Sequence, residues 1–259
     1  AVRVAFVWDN FGPLHLDRVR AVKAGVAAEE VLGVEIVSKS GVYDWIVDKV
    51  DDIDVVTLCD GKYSKVRVLF RLLQLAMRRR LTHVFVCHYE RVEIFLFAMA
   101  CRLLGIRPIM MNDSKFDDYP RKLSRELGKS LFVAPYVGGL AGSIRTGDYM
   151  RFLGIPEGNI QFCYDAVSVK RLEDSSPGPA HADRDFLIVA RLVPKKNIET
   201  AIRAYALFLH QTGATRKLVI CGSGPLLESL RALAVELGVA DKIILIGNIL
   251  NFLFWVNMS

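Results

Sequence analysis

Residues 188–197 read IVARLVPKKN. An apolar strand runs into Arg191, and Pro194, Lys195, Lys196 and Asn197 follow. A helical pattern starts at once. Ile198, Ala201, Ile202, Tyr205, Phe208 and Leu209 recur at the spacing of one helix face. Asn197 is the expected N-cap. A helix N-terminus already carries partial positive charge, so two lysines there are unfavourable unless something negative sits between them. In an α/β unit that helix end lies at the carboxyl edge of the sheet, where ligands bind. Arg191 offers a planar fork and Lys196 a point charge. The residues admit two readings: a di-anion such as a diphosphate at the helix end, or a solvated basic loop.

Working outward, the same strand-to-helix unit recurs along the chain. Strands are expected at 2–8, 34–38, 53–58, 83–88, 108–112, 131–134 and 160–164. Helical patterns fall at 14–32, 65–80, 91–105, 121–128 and 140–153. The strands are continuous apolar runs, as in a parallel sheet buried on both faces. Residues 173–184, EDSSPGPAHADR, read as a linker. The pattern then restarts with strands at 185–191, 217–221 and 242–246 and helices at 197–211 and 225–237. The fold class is therefore α/β, with two Rossmann-like domains at 1–172 and 185–259. The C-terminal domain is expected to be incomplete, the chain stopping before that fold closes. Its last stretch, NILNFLFWVNMS (248–259), is apolar and lacks an evident partner.

In KLVICGSGPLLESLRALAVELG, a strand ends at Cys221 and Gly222-Ser-Gly224-Pro225 leads into a helix. Pro225 suits a first helical turn, and the glycines permit close backbone approach. Leu227 stands where a dinucleotide fingerprint needs its third glycine, and no acid ends the next strand. A nicotinamide-dependent oxidoreductase is thereby disfavoured.

Together, VARLVPKKNIETAIRAY and LVICGSGPLLESLRALAVELGVADKIILIGNI resemble the nucleotide-sugar domain of retaining glycosyltransferases of the glycosyltransferase 4 family. The resemblance implies a GT-B fold, with two Rossmann-like domains. It implies that Arg191 and Lys196 bind the donor diphosphate, helped by Gly222, and that backbone around Gly247 and Asn248 receives the base. The donor would be a UDP- or GDP-sugar, and the acceptor a glycan or lipid-linked molecule of polysaccharide synthesis. No cofactor is expected: the nucleotide-sugar is a substrate, and no metal is needed if side chains and helix dipoles carry the charge. Glu228 and Glu236 have the spacing of the family's late Glu-x7-Glu motif, but they come too early and on a helix. On this resemblance the true motif and the returning C-terminal helix are missing from the sequence. A catalytically inactive nucleotide-sugar-binding fragment is therefore the rival to an active enzyme.

In the first half, Gly12-Pro13 follows strand one and resembles the family loop near the donor phosphates; a structural turn is the alternative. His88 ends a strand in VCHYE, where relatives have a histidine touching the donor sugar; it is the candidate catalytic residue, and a structural histidine at a strand end is the alternative. Asp113 and Ser114, in MNDSKFDD, are candidates for acceptor contacts.

Composition sets the outer bounds. The 259 residues carry a formal net charge of +6. That excess suits an acidic ligand or an anionic surface without choosing between them. No recognition motif or aromatic platform suggests nucleic acid. The five cysteines include no C-x-x-C pair, and buried reduced thiols in a cytoplasmic protein are expected. The start AVRVAFVW reads as a strand, and no apolar run is long enough to span a membrane. On helix 65–80, Arg67, Arg71, Gln74 and Arg78 form one polar stripe. It is either a solvated face or a peripheral contact with the inner face of an anionic membrane.

Overall fold

The computed structural model describes residues 1–38, 53–60, 63–118, 121–170 and 185–247. The expected linker at 173–184, the stretch 248–259 and Asn248 within it lie outside the described residues. The chain divides into two compact units, Ala1–Val169 and Lys170–Ser259.

The first unit contains β1 (Arg3–Trp8), α1 (Pro13–Gly25), β2 (Glu30–Val37), β3 (Asp54–Cys59), α2 (Lys65–Arg78), β4 (His83–Val86) and α3 (Val92–Leu103). It continues with β5 (Arg107–Asn112), α4 (Leu123–Val133), β6 (Gly138–Ala141), α5 (Ile144–Leu153) and β7 (Ile160–Gln161). The strands form one parallel sheet in the order β3-β2-β1-β4-β5-β6-β7. Along β1 the side chains alternate between two cores, as strand geometry requires. Ala5 and Val7 join the core under α2, α3, α4 and α5. Val4, Phe6 and Trp8 join Leu16 and Val19 of α1 on the other face. The strand order reverses between β1 and β4, which opens a crevice at their carboxyl ends.

Several expected elements move. The run LFVA at 131–134 is the end of helix α4 and the residue after it, not a strand. The strand is GGLA, Gly138–Ala141, which the sequence pattern assigns partly to the next helix. Short apolar runs do not separate strand from helix by period. Tertiary packing selects the glycines instead, because a Cβ at Gly139 would lie 2.6 Å from Met150 Sδ. Helix α1 ends at Gly25 rather than 32, since Val31, Leu32 and Val34 are needed in β2 beside β1. Strand β7 is only Ile160–Gln161. Of the cysteines expected to be buried, Cys59, Cys101 and Cys221 are; Cys163 is exposed.

The entry to α1 is tied down by a histidine. Gly12 donates its N–H to Nδ1 of His15 at 2.9 Å. The imidazole packs on Trp8, with ring centroids 4.6 Å apart. Burial, with help from the Arg18 charge, pulls the His15 pKa down to about 4.

The second unit contains β8 (Phe186–Val189), α6 (Ile198–Thr212), β9 (Leu218–Cys221), α7 (Leu227–Glu236) and β10 (Ile243–Ile246). Its parallel sheet runs β10-β9-β8. Tyr205 of α6 donates to the Arg216 carbonyl at 2.6 Å, locking helix to sheet. Pro225 sits in the turn before α7 rather than in its first turn. Gly222 and Gly224 have φ of 148° and 156°, which side-chain-bearing residues rarely adopt. A Cβ at Gly222 would lie 1.9 Å from the Ala190 carbonyl oxygen, and one at Gly224 would lie 2.4 Å from that of Leu192. The turn after β9 therefore presses directly on residues 190–192. Leu192 donates to the Ser223 carbonyl at 2.8 Å, and Leu226 donates to the Leu192 carbonyl at 3.1 Å.

These contacts set the expected stability effects. Gly222→Ala should destabilise the second unit by roughly 2–4 kcal/mol through strain and backbone clash. Gly128→Ala, in α4 with nothing near its Cβ, should be neutral or stabilising by up to about 1 kcal/mol. Urea unfolding of both variants checks this, and equal midpoints would refute the close-approach role. For His15, both states are neutral above pH 6.5, and below it the unfolded chain takes up a proton that the folded chain resists. Stability should fall from pH 6.5 down to about 4, by about 3 kcal/mol in total. His15→Asn, which keeps an acceptor for Gly12, should flatten that part of the urea-unfolding pH profile.

Candidate functional site

The basic loop sits at the carboxyl end of β8. Leu192 is fully buried and anchors it, while Arg191, Lys195 and Lys196 are exposed around it. Residues Pro194–Lys196 form one 3-10 turn. Asn197 follows with φ 49°, a left-handed conformation. It stands at the N-cap position of α6, but its side chain caps no backbone N–H. Its Oδ1 instead accepts from the Thr200 hydroxyl at 2.9 Å. The expected capping bond is thus absent, and the first-turn N–H groups of α6 have no side-chain cap on the side where the cations gather. Lys196 has no carboxylate partner among the described residues. Gly222 belongs to this site as the residue whose missing side chain lets the loop take its path. Gly247 is exposed at the carboxyl end of β10, the strand beside β9.

At the β1/β4 crevice of the first unit, the structure gathers another set of groups. His88 follows β4 with φ 58°. Its Nε2 lies 3.4 Å from Asp9 Oδ2 at the end of β1. Arg91 holds the same carboxylate in a fork, with both bonds at 2.6 Å. A bidentate guanidinium fixes the carboxylate plane as well as its position. The Asp9 carboxylate therefore faces His88 from a fixed orientation. Gly12 is buried, and its N–H is already committed to His15. Its φ of −126° does not require glycine. Both facts favour the structural-turn reading of Gly12 over direct phosphate contact.

Asp113 and Ser114 follow β5, next to β4 in the sheet. Ser114 N–H donates to Asn112 Oδ1 at 3.1 Å, and the Asp113 carbonyl accepts from Thr146 at 3.1 Å. The Asp113 side chain is left exposed. Beside it, Asp165 occupies the space over Gly142: a Cβ there would be 2.3 Å from Asp165 Oδ2 and 3.5 Å from Asp113 Cα. Burial raises the Asp165 pKa and Asp113 adds to it, while Arg18, paired at 3.2 Å, opposes them. Deeper in the same crevice, Tyr164 accepts from Trp8 Nε1 at 2.8 Å and lies 3.3 Å from the Cys87 thiol. Burial pushes that thiol up to about 12, so it stays protonated. Sequence reasoning misses Asp9, Arg91 and Asp165. Their one signal is position, each just past a strand end or at the start of a helix. No group of His, Cys, Asp and Glu able to hold a metal ion occurs among the described residues.

Comparisons with known proteins bear on both units. Residues 169–252 match the family model described as glycosyl transferases group 1. A comparison with curated protein sequences finds no match. Among solved structures, the chain resembles the apo form of WaaB, a lipopolysaccharide outer core galactosyltransferase. The TM-score is 0.58 at 17% identity, covering 98% of this chain and 70% of that one. It also resembles Anabaena HepE in complex with UDP and glucose, with a TM-score of 0.67 at 11% identity, covering 96% and 70%. The UDP-GlcNAc 2-epimerase of Methanocaldococcus jannaschii matches as well, at TM-score 0.57 and 12% identity, covering 99% and 76%. At these identities the likeness is one of fold. The fold is that of the GT-B enzymes, and residues 169–252 carry the sequence pattern of glycosyl transferases group 1.

Proposed function

We propose that this chain belongs to a nucleotide-sugar glycosyltransferase of the retaining type, its second unit carrying a donor site and its first unit an acceptor site. The observation that carries the reading is the loop 191–197. It carries the exposed Arg191 and Lys196 in the turn that leads into α6, whose N-terminus has no side-chain cap, within the region matching the glycosyltransferase model. A diphosphate is the simplest ligand that satisfies two cations and a helix end together. As the sugar leaves, negative charge grows on that diphosphate, and a fixed array of donors stabilises the transition state more than the ground state. UDP is the first nucleotide to try, because HepE is seen with UDP. Gly247 and the residue after it would receive the base.

On the first unit, His88 is the candidate catalytic group, with Asp9 holding the imidazole. Asp113, Ser114 and Asp165 would receive hydroxyl groups of a glycan or lipid-linked acceptor. The epimerase likeness supplies a rival chemistry on the same fold; the glycosyltransferase model match favours transfer.

Calorimetry with UDP and GDP tests the donor site. Arg191→Ala and Lys196→Ala should each weaken binding roughly 10- to 100-fold, the range for losing one charge-assisted hydrogen bond, with unfolding midpoints unchanged. Unaltered affinity in both would remove the diphosphate from this loop. A transfer assay then separates enzyme from binding fragment, since a fragment binds nucleotide and transfers nothing. In an active chain, His88→Ala should lower kcat at least tenfold and leave UDP affinity alone. Asp9→Asn should do the same more weakly, by disordering the imidazole. A loss of UDP affinity in place of kcat would contradict these roles.

A further inference from the structure

Helices α2, α3 and α4 lie side by side on one face of the first sheet. Their inner residues share one core. Helix α2 packs on α3, and the rings of Phe95 and Phe132 join α3 to α4 at 5.0 Å. Such helices normally turn a polar face outward. Here each carries an outward apolar stripe: Val66, Phe70 and Met77 on α2, Leu96, Met99 and Leu103 on α3, and Leu127 and Leu131 on α4. These side chains are between 40% and 85% exposed. The polar stripe expected on α2 is present, but it borders this apolar stripe rather than backing a fully buried helix. The residue spacing puts Arg67, Arg71 and Arg78 one step round the helix from Val66, Phe70 and Met77.

The exposed charge within these three helices has one sign. Within α2, α3 and α4 the only acidic residues are Glu93 and Glu126, each 2% exposed. Glu93 accepts from the Tyr63 hydroxyl, and Glu126 is paired with Arg121 and Lys129. The exposed charges are Lys65, Arg67, Arg71, Arg78, Arg102 and Arg125. Arg71 donates to the Leu58 carbonyl. Lys65, Arg67, Arg78, Arg102 and Arg125 have no carboxylate partner among the described residues. Exposed carboxylates border these helices, Glu90 before α3, Asp117 before α4 and Asp148 on α5, but none lies within them.

We infer that the outer face of α2, α3 and α4 is a docking surface for an anionic lipid bilayer. Isolated exposed apolar residues are ordinary, but exposed apolar stripes on three helices of one face mark an interaction surface. A protein partner would present charges of both signs at fixed places. A face with unpaired cations alone, spread across three helices, complements a surface of uniform negative charge. Phe, Leu and Met side chains enter the headgroup boundary while arginine stems lie along it with their heads at the phosphates. No helix among the described residues is long and apolar enough to cross a membrane, so this mode of contact lies on the bilayer rather than through it. It is independent of the donor chemistry.

The test is co-sedimentation of the full chain with phosphatidylcholine vesicles, with and without phosphatidylglycerol. The chain should bind the anionic vesicles and ignore the neutral ones. Each cation removed should cost about fivefold in partition coefficient, so the double variant Arg67→Glu, Arg78→Glu should lose at least roughly 30-fold. Phe70→Ser should lose the part of the binding that survives high salt. All three sites are exposed, and thermal melting, not nucleotide binding, certifies the fold, so failure of the donor assignment would leave this result intact. Absence of binding to anionic vesicles would overturn the proposal. So would a concentration-dependent dimer, seen by sedimentation velocity, that Phe70→Ser dissolves, since another copy would then cover the face. Binding that the charge reversals leave unchanged would overturn it too.

Discussion

A parallel strand must be returned to the start of the next by a crossover, and that constraint organises everything else in this protein. Among the described residues the crossovers are helices, so within each sheet the loops that leave strands at their carboxyl ends open on one side. The residues with chemical potential lie there: Asp9 after β1, His88 after β4, Asp113 after β5, Asp165 after β7, Arg191 after β8 and Gly222 after β9. Within each unit these residues are far apart in sequence, and only this geometry brings them together. Where the strand order reverses, between β1 and β4, the helices that follow pack on opposite faces of the sheet, which opens a crevice there.

The two units use that edge differently. In the second, the active feature is backbone. Gly222 and Gly224 give up side chains so that one loop can press on another, and the pressed loop holds a helix N-terminus with cations around it. In the first, the feature is a fixed set of side chains. The Arg91 fork orients the Asp9 carboxylate, which faces His88, while His15 takes the Gly12 N–H. Backbone donors and cations suit a leaving diphosphate. Oriented carboxylates and an imidazole suit sugar hydroxyls.

Much of the α/β alternation is legible in the chain, because buried parallel strands leave continuous apolar runs. The errors fall where that signal degenerates. LFVA and GGLA are both short, and period cannot tell a four-residue strand from the end of a helix. Only the thioether of Met150 over Gly139 shows why the glycine-rich run belongs in the sheet. The boundary between α1 and β2 slips for a related reason: a run of small and apolar residues is compatible with helix until β1 claims it as a neighbour.

Local properties of the chain — period, charge and loop chemistry — specify the strand–helix order and the cation cluster at 191–196. They also carry the resemblance to nucleotide-sugar transferases. Which residues meet is a matter for tertiary structure. Asp9 and Arg91 are 82 positions apart, and no local pattern predicts a carboxylate shared between a histidine and a guanidinium. Packing likewise selects which apolar residues on α2, α3 and α4 stay exposed, since burial depends on what lies against a helix and not on its own spacing.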